Sequence, residues 1–181
     1  MNPKELHFAD EGRKKLFSGL EKITNAVKST LGPRGNTVLI ESENHTHGIT
    51  VTKDGVTVAK SISLLDSVEN LAVRIVKEAS EKTATNAGDG TTTAIVLSQA
   101  LSLAGNEMIK SGMNKTLVLR ELVEATKVVV ENLKKMSKPV DDNKLEDVAT
   151  ISANNDSYIG NIISKVYNSV GTDGIVTVEN S

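Results

Sequence analysis

The chain has no cysteine and no tryptophan, and its 181 residues include only two tyrosines and two phenylalanines. Without thiols, disulfides and thiolate metal sites are excluded. With so few rings the core has to be aliphatic, built on Val, Leu, Ile and Ala. The same scarcity disfavours a single-stranded nucleic-acid site, which stacks bases on aromatic side chains. Positive charge is not in excess either: 21 Lys and Arg against 23 Asp and Glu leave a formal net charge of −2, no footprint for DNA or RNA. No apolar run approaches the roughly 18 residues of a membrane span. Met1-Asn2-Pro3-Lys4-Glu5-Leu6 has neither an apolar signal core nor the Arg-rich character of a transit peptide. The expectation is a cytoplasmic protein with no nucleic-acid and no membrane partner. At 38% hydrophobic and 24% charged residues, the composition is that of an ordinary globular chain. Its length suits one medium domain, or one domain plus part of another.

What is present is mainly helical periodicity. Leu6-His7-Phe8 reads as a short strand, and Asp10 as the cap of a helix carrying Leu16, Leu20, Ile23 and Val27 at helical spacing. Leu31-Gly32-Pro33 stops that helix. Asn36 to Glu41 and Ile49-Thr50-Val51-Thr52 read as a hairpin with a long polar tip. A short helix over 56–60 follows, then a longer one from Ser67 with Val68, Leu71, Ala72, Ile75 and Ala79 on one face. The next helix carries Ala94, Ile95, Leu97, Ala100, Leu101 and Ala104, apolar nearly all round, which predicts burial. Gly112 and Asn114 frame the start of another helix, running to Met136. Lys138-Pro139-Val140-Asp141-Asp142 interrupts the periodicity and reads as a boundary. Beyond it come a weak helix over 145–151, a helix capped by Asp156, the turn Gly171-Thr172-Asp173-Gly174 and a strand over 175–178.

The chemistry concentrates in Asn86-Ala87-Gly88-Asp89-Gly90-Thr91-Thr92-Thr93. Two glycines let a bulky group approach the backbone. The threonines fall where a helix should begin, with its orphan N–H groups and their own hydroxyls as donors. Asp89 would repel phosphate unless a cation bridged the two, so the pattern calls for phosphate with a hard divalent metal such as magnesium. No Walker lysine follows. A plain turn with a Thr N-cap explains the local residues equally well. Lys53-Asp54-Gly55 by itself is a hairpin-closing turn; beside the loop, Lys53 could neutralise phosphate and Asp54 could order a water or a metal. His45 and His47 sit at a polar hairpin tip without a third ligand and read as a solvated loop.

Thr30-Leu31-Gly32-Pro33-Arg34-Gly35, Thr52-Lys53-Asp54-Gly55-Val56 and Ala87-Gly88-Asp89-Gly90-Thr91-Thr92-Thr93-Ala94, in this order and spacing, resemble the nucleotide-site motifs of group I chaperonins, the GroEL type. Gly112-Met113-Asn114, Thr150-Ile151-Ser152-Ala153-Asn154 and Gly174-Ile175-Val176-Thr177-Val178-Glu179 also match. The resemblance implies a mainly α fold with a small β component. Residues 1–136 would be the N-terminal part of a helical equatorial ATP-binding domain with a β-hairpin. Residues 137–181 would be the first segment of an α+β intermediate hinge domain. It implies ATP and Mg2+ as ligands. Asp89 would hold the metal; Gly88, Gly90, Thr91, Thr92 and Thr93 would donate to the phosphates. Thr30, Leu31, Gly32 and Pro33 would pack against the nucleotide, Lys53 would meet the phosphates, and Asp54 would position the attacking water.

The intact family protein is an ATPase that refolds non-native polypeptides inside a homo-oligomeric double ring closed by a co-chaperonin lid. Family members are longer, so this chain is expected to be an N-terminal fragment without the apical domain. The water-activating aspartate of the returning intermediate segment has no counterpart in it, which implies little or no hydrolysis by these residues alone. The tip from Glu43 to Gly48 is longer than usual in the family. Two other readings stand beside this one: a truncated, non-catalytic interaction or assembly piece of a chaperonin ring, and a self-contained phosphate-loop enzyme using Asp54 as its base.

Overall fold

Helical periodicity dominates the computed structural model, which describes residues 5–32, 34–41, 48–171, 174–177 and 179. The chain divides into two compact units, Met1–Glu121 and Leu122–Ser181, with the division inside a helix. The first contains α1 (Ala9–Lys28), β1 (Val38–Glu41), β2 (Ile49–Thr52), α2 (Gly55–Ser61), α3 (Ser67–Ala87), α4 (Thr91–Lys110) and the start of α5 (Lys115–Met136). The second contains the rest of α5, α6 (Asp142–Ser152) and α7 (Ser157–Val170). The expected class, mainly α with a small β component, is what the elements form.

In the first unit the aliphatic side chains meet where four helices converge. Leu20, Ile23 and Val27 of α1 pack with Val58 and Ala59 of α2, Ala72, Val73 and Val76 of α3, and Ile95 of α4. Phe17, Val38, Ile40 and Ile62 close the margin. β1 and β2 pair antiparallel, with Leu39 opposite Val51 and Glu41 opposite Ile49. α1 and α3 cross closely at Gly19, where a Cβ would collide with the backbone carbonyl of Glu69. Polar ties flank that crossing. Lys15 donates to Asp66 at 2.8 Å, Ser18 donates to Glu69 at 2.7 Å, and Lys22 also bonds Glu69.

Asp66 does two jobs there, because its Oδ1 also accepts from the amides of Val68 and Glu69 and so caps α3. The hydrogen bond from Lys15, with the two amides and the ammonium charge, brings the Asp66 carboxyl from the ordinary 3.8 to about 2. Lys77 closes the far end of α2 by donating to the carbonyls of Lys60 and Ile62.

The second unit is organised by a helical hairpin of α6 and α7. Asn154 and Asn155 take φ of 57° and 65° between them, the left-handed region that asparagine tolerates better than most residues. Asp141 caps α6 through the Lys144 amide, and Asp156 caps α7 through the amides of Tyr158 and Ile159. Gly160 lies so close to Thr150 that a Cβ would overlap its backbone and hydroxyl.

Several expectations are corrected. Asp10 is not a cap: Phe8 holds that position, and Asp10 instead pairs with Arg13 inside the first turn. Residues 6–8 form no strand, and neither do 175–177; no neighbouring strand among the described residues offers either a ladder. Val178, Thr172 and Asp173 lie outside the described residues. On α3, Val73 and Val76 turn inward while Leu71 and Ile75 stay exposed, so the buried face is rotated from the one expected. On α4 only Ile95 is buried among the described residues, and Leu97 is 52% exposed. Its apolar circumference exceeds what α1, α2 and α3 cover. Asn114 does cap α5, accepting from the amides of Thr116 and Leu117.

Two predictions follow from the packing and the caps. Gly19→Ala should lower stability by about 1–3 kcal/mol through overpacking against Glu69. Gly105→Ala, whose Cβ would meet only Val118 Cγ1 at 3.9 Å, should raise it by roughly 0.5–1 kcal/mol; urea midpoints of both variants check the pair. For Asp66 the folded carboxyl titrates below the unfolded one. Its stabilisation is therefore complete above the ordinary 3.8 and disappears as pH falls through about 2. Asp66→Asn should flatten that part of the acid denaturation profile.

Candidate phosphate site

The turn between α3 and α4 is built by two glycines in the left-handed region. Gly88, at φ 74°, is the C-cap of α3 and its N–H bonds the Ala84 carbonyl; Gly90, at φ 83°, is the N-cap of α4. Side chains with a Cβ seldom adopt that backbone. The Gly-Asp-Gly spacing thus lets one long helix pass into another over three residues. With glycine at the N-cap, no side chain caps α4. The Thr N-cap expected from a plain turn is not formed: Thr91, Thr92 and Thr93 are the first helical residues.

Their amides are the orphan donors of a 20-residue helix, at the positive end of its dipole. Among the described residues their hydroxyls make no hydrogen bond. Asp89 is exposed; its Oδ1 accepts from the Gly90 amide at 2.6 Å, and its other oxygen carries no bond among the described residues. Ser80, buried on α3, donates to the Thr91 carbonyl at 3.4 Å and seats the first turn of α4 on its neighbour.

The other two motifs reach the same place through Gly55. A Cβ there would overlap the Thr92 hydroxyl and lie 3.2 Å from the Thr30 hydroxyl. Segments far apart in sequence are thus in contact at one buried residue. Thr30 at present donates its hydroxyl to the Val27 carbonyl at 2.8 Å. Leu31 is exposed, and Gly32 turns the chain at φ 78°. Pro33, His45 and His47 lie outside the described residues. Lys53 is exposed at the end of β2.

Asp54 is the N-cap of α2. Its Oδ2 accepts from the Thr57 hydroxyl at 2.6 Å and the Thr57 amide at 2.9 Å, while Oδ1 takes only the Val56 amide at 3.3 Å. Partial burial pushes this carboxyl up, but the Thr57 hydroxyl, the two amides and the Lys60 charge together outweigh it, and the group is held below its usual range. A carboxylate so placed accepts hydrogen bonds well and takes up a proton poorly. It suits orienting a water better than deprotonating one. That weakens the reading of a self-contained enzyme with Asp54 as base.

No cluster of three or more His, Asp or Glu is set to hold a metal among the described residues. Asp89 alone would give a magnesium ion one protein oxygen, the rest coming from phosphate and water, a sparse ligation that this metal accepts. The residues fit that group. Two clefts lie elsewhere: one of about 640 Å³ between α1 and α4, lined partly by Arg13, Glu21, Asn106 and Lys110, and an apolar one of about 480 Å³ lined partly by Leu16, Ile75 and Leu101. Neither includes the loop residues. Gly55, Thr57 and Ser80 were not singled out as site residues from sequence. The one available signal was Asp54 followed by Thr at the third helical position, a capping pattern.

The sequence model of the TCP-1/cpn60 chaperonin family matches residues 23–180. The fold is similar to the crystal structure of the chaperonin gp146 from the bacteriophage EL 2 (Pseudomonas aeruginosa) in the presence of ATP-BeFx. Against crystal form II the TM-score is 0.77 at 30% identity, covering 92% of this chain and 29% of that one. Against crystal form I it is 0.77 at 31% identity, covering 90% and 29%. The present chain thus spans under a third of the length of these structures.

The geometry at Asp54 yields a prediction independent of any ligand. In a carbon-13 titration, its carboxyl should change charge below the usual aspartate range, and Thr57→Val should move that midpoint upward while Thr57→Ser leaves it in place. An unchanged midpoint in Thr57→Val would remove the hydroxyl as a cause.

Proposed function

The chain belongs to the TCP-1/cpn60 chaperonin family, and on that premise we propose that residues 88–93 bind the phosphates of magnesium–ATP for a chaperonin that refolds non-native polypeptides. The observation carrying this is the start of α4 without a side-chain cap, where the Thr91, Thr92 and Thr93 hydroxyls make no hydrogen bond among the described residues, beside an exposed Asp89. The ATP analogue in the crystals of the phage chaperonin supports it.

Gly88 and Gly90 admit the phosphates to the backbone, and the threonines donate to them. Asp89 would hold the magnesium, and the ammonium of Lys53 would offset further negative charge. Asp54, ionised and held by Thr57, orients the water in line with the terminal phosphate. When bound, the metal neutralises charge on the phosphate oxygens. Phosphoryl transfer depends on this kind of positioning more than on covalent steps. Thr30, Leu31, Gly32 and Pro33 pack on the nucleotide; Thr30 donates to it only by giving up its bond to Val27. Residues 1–136 belong, in this proposal, to the equatorial domain and 137–181 to the intermediate one. Clients and a lid would engage parts of the relatives' length beyond this span.

A second reading, a non-catalytic assembly piece, is favoured by one feature: the apolar cleft and the exposed Leu71, Ile75, Leu97 and Leu101 on α3 and α4. Calorimetry separates the two. Magnesium-dependent ATP binding by the 181-residue chain, abolished by Asp89→Ala, is the expected result; no binding heat would favour the assembly piece. Steady-state hydrolysis should be slight. Turnover like that of a complete chaperonin, lost in Asp89→Ala, would show that these residues suffice.

A further inference from the structure

Gly55 occupies the point where Thr30 and Thr92 meet, and we infer that its missing side chain sets the Thr92 hydroxyl for phosphate, making Gly55 a positioning residue of the site. This rests on the phosphate reading above.

Backbone conformation does not call for glycine here, since Gly55 is not among the glycines with positive φ. Helix propensity argues the other way: Gly55 is the first residue of α2, and alanine is the better helix former. Space is the reason that remains. Gly55 is buried, and a Cβ would overlap Thr92 Oγ1 while sitting 3.2 Å from both Thr92 Cβ and Thr30 Oγ1. Threonine is stiff at χ1, with few staggered alternatives. The first turn of α4 is also held from behind by Ser80 on the Thr91 carbonyl. An added methyl group therefore turns the Thr92 side chain before it moves the helix. Among the described residues the Thr92 hydroxyl bonds to nothing. The close approach therefore preserves no hydrogen bond of the fold; it preserves a donor for a ligand.

A double-mutant cycle on the 181-residue chain tests this, with magnesium–ATP affinity by calorimetry and a melting curve for each variant. Gly55→Ala and Thr92→Ala should each weaken binding roughly tenfold, the scale of one hydrogen bond to a charged group. The double variant should bind no worse than the singles, because both changes act through one hydroxyl. Removing that hydroxyl should also recover the melting temperature lost in Gly55→Ala. Additive losses, roughly a hundredfold in the double variant, would overturn the inference, as would a Gly55→Ala chain of undiminished affinity. If Gly55→Ala fails to fold, Thr92→Ala and the double variant still decide it: equal affinities support the role, and a weaker double variant refutes it. Absence of binding by the unmutated chain would instead overturn the phosphate reading, and this role with it.

Discussion

Two left-handed glycines flank a carboxylate at the junction of α3 and α4, and most of what the first unit can do depends on that backbone. Gly88 and Gly90 take the chain from one helix into the next with only Asp89 between them. Glycine at the start of α4 gives up only a few tenths of a kcal/mol, roughly, against a side-chain cap, and it leaves the amides of Thr91, Thr92 and Thr93 open. The turn stands on a rigid frame. Ser80 fixes α4 to α3, and the Gly19–Glu69 crossing with its lysine ties fixes α3 to α1. Donors that are orphaned yet rigidly held are what electrostatic recognition of an anion requires, since little reorganisation accompanies binding.

α2 carries the second half of the arrangement. Its N-terminus touches both the Thr30 turn and Thr92 through Gly55, and its cap is Asp54, the residue proposed to orient the water. Lys77 holds its other end. A seven-residue helix would not persist alone; here it is packed on α1, α3, α4 and β1. Local stability and site geometry are therefore the same contacts.

Much of this was legible in the sequence because short polar side chains act locally. Asn114 and Asp156 cap the helices expected of them, and the β2 span is as read. Capping depends on residues two or three apart, and sequence states that spacing directly. Asp10 misled because Phe8, with no side chain able to cap, holds the position that a cap would take. Faces were harder. Leu71 and Ile75 have the period of a core face yet remain exposed, and α4 is apolar all round yet buries one residue among those described. Periodicity shows that a face is apolar and does not say what covers it. The loop motif was legible as chemistry, with the capped turn as its rival; the structure removes the Thr cap from that rival and keeps the tight turn. Gly55 was hidden because its reason is a contact with residues 25 and 37 positions away in the chain, Thr30 and Thr92.

Amide shifts on adding magnesium–ATP to the isotope-labelled chain test the central claim most directly, because they report where the phosphates settle. The account predicts that the largest changes fall on Gly88 to Thr93, with Thr30 and Gly55 next, and that they require magnesium. Changes centred on the cleft lined by Arg13, Asn106 and Lys110, or indifferent to magnesium, would contradict it.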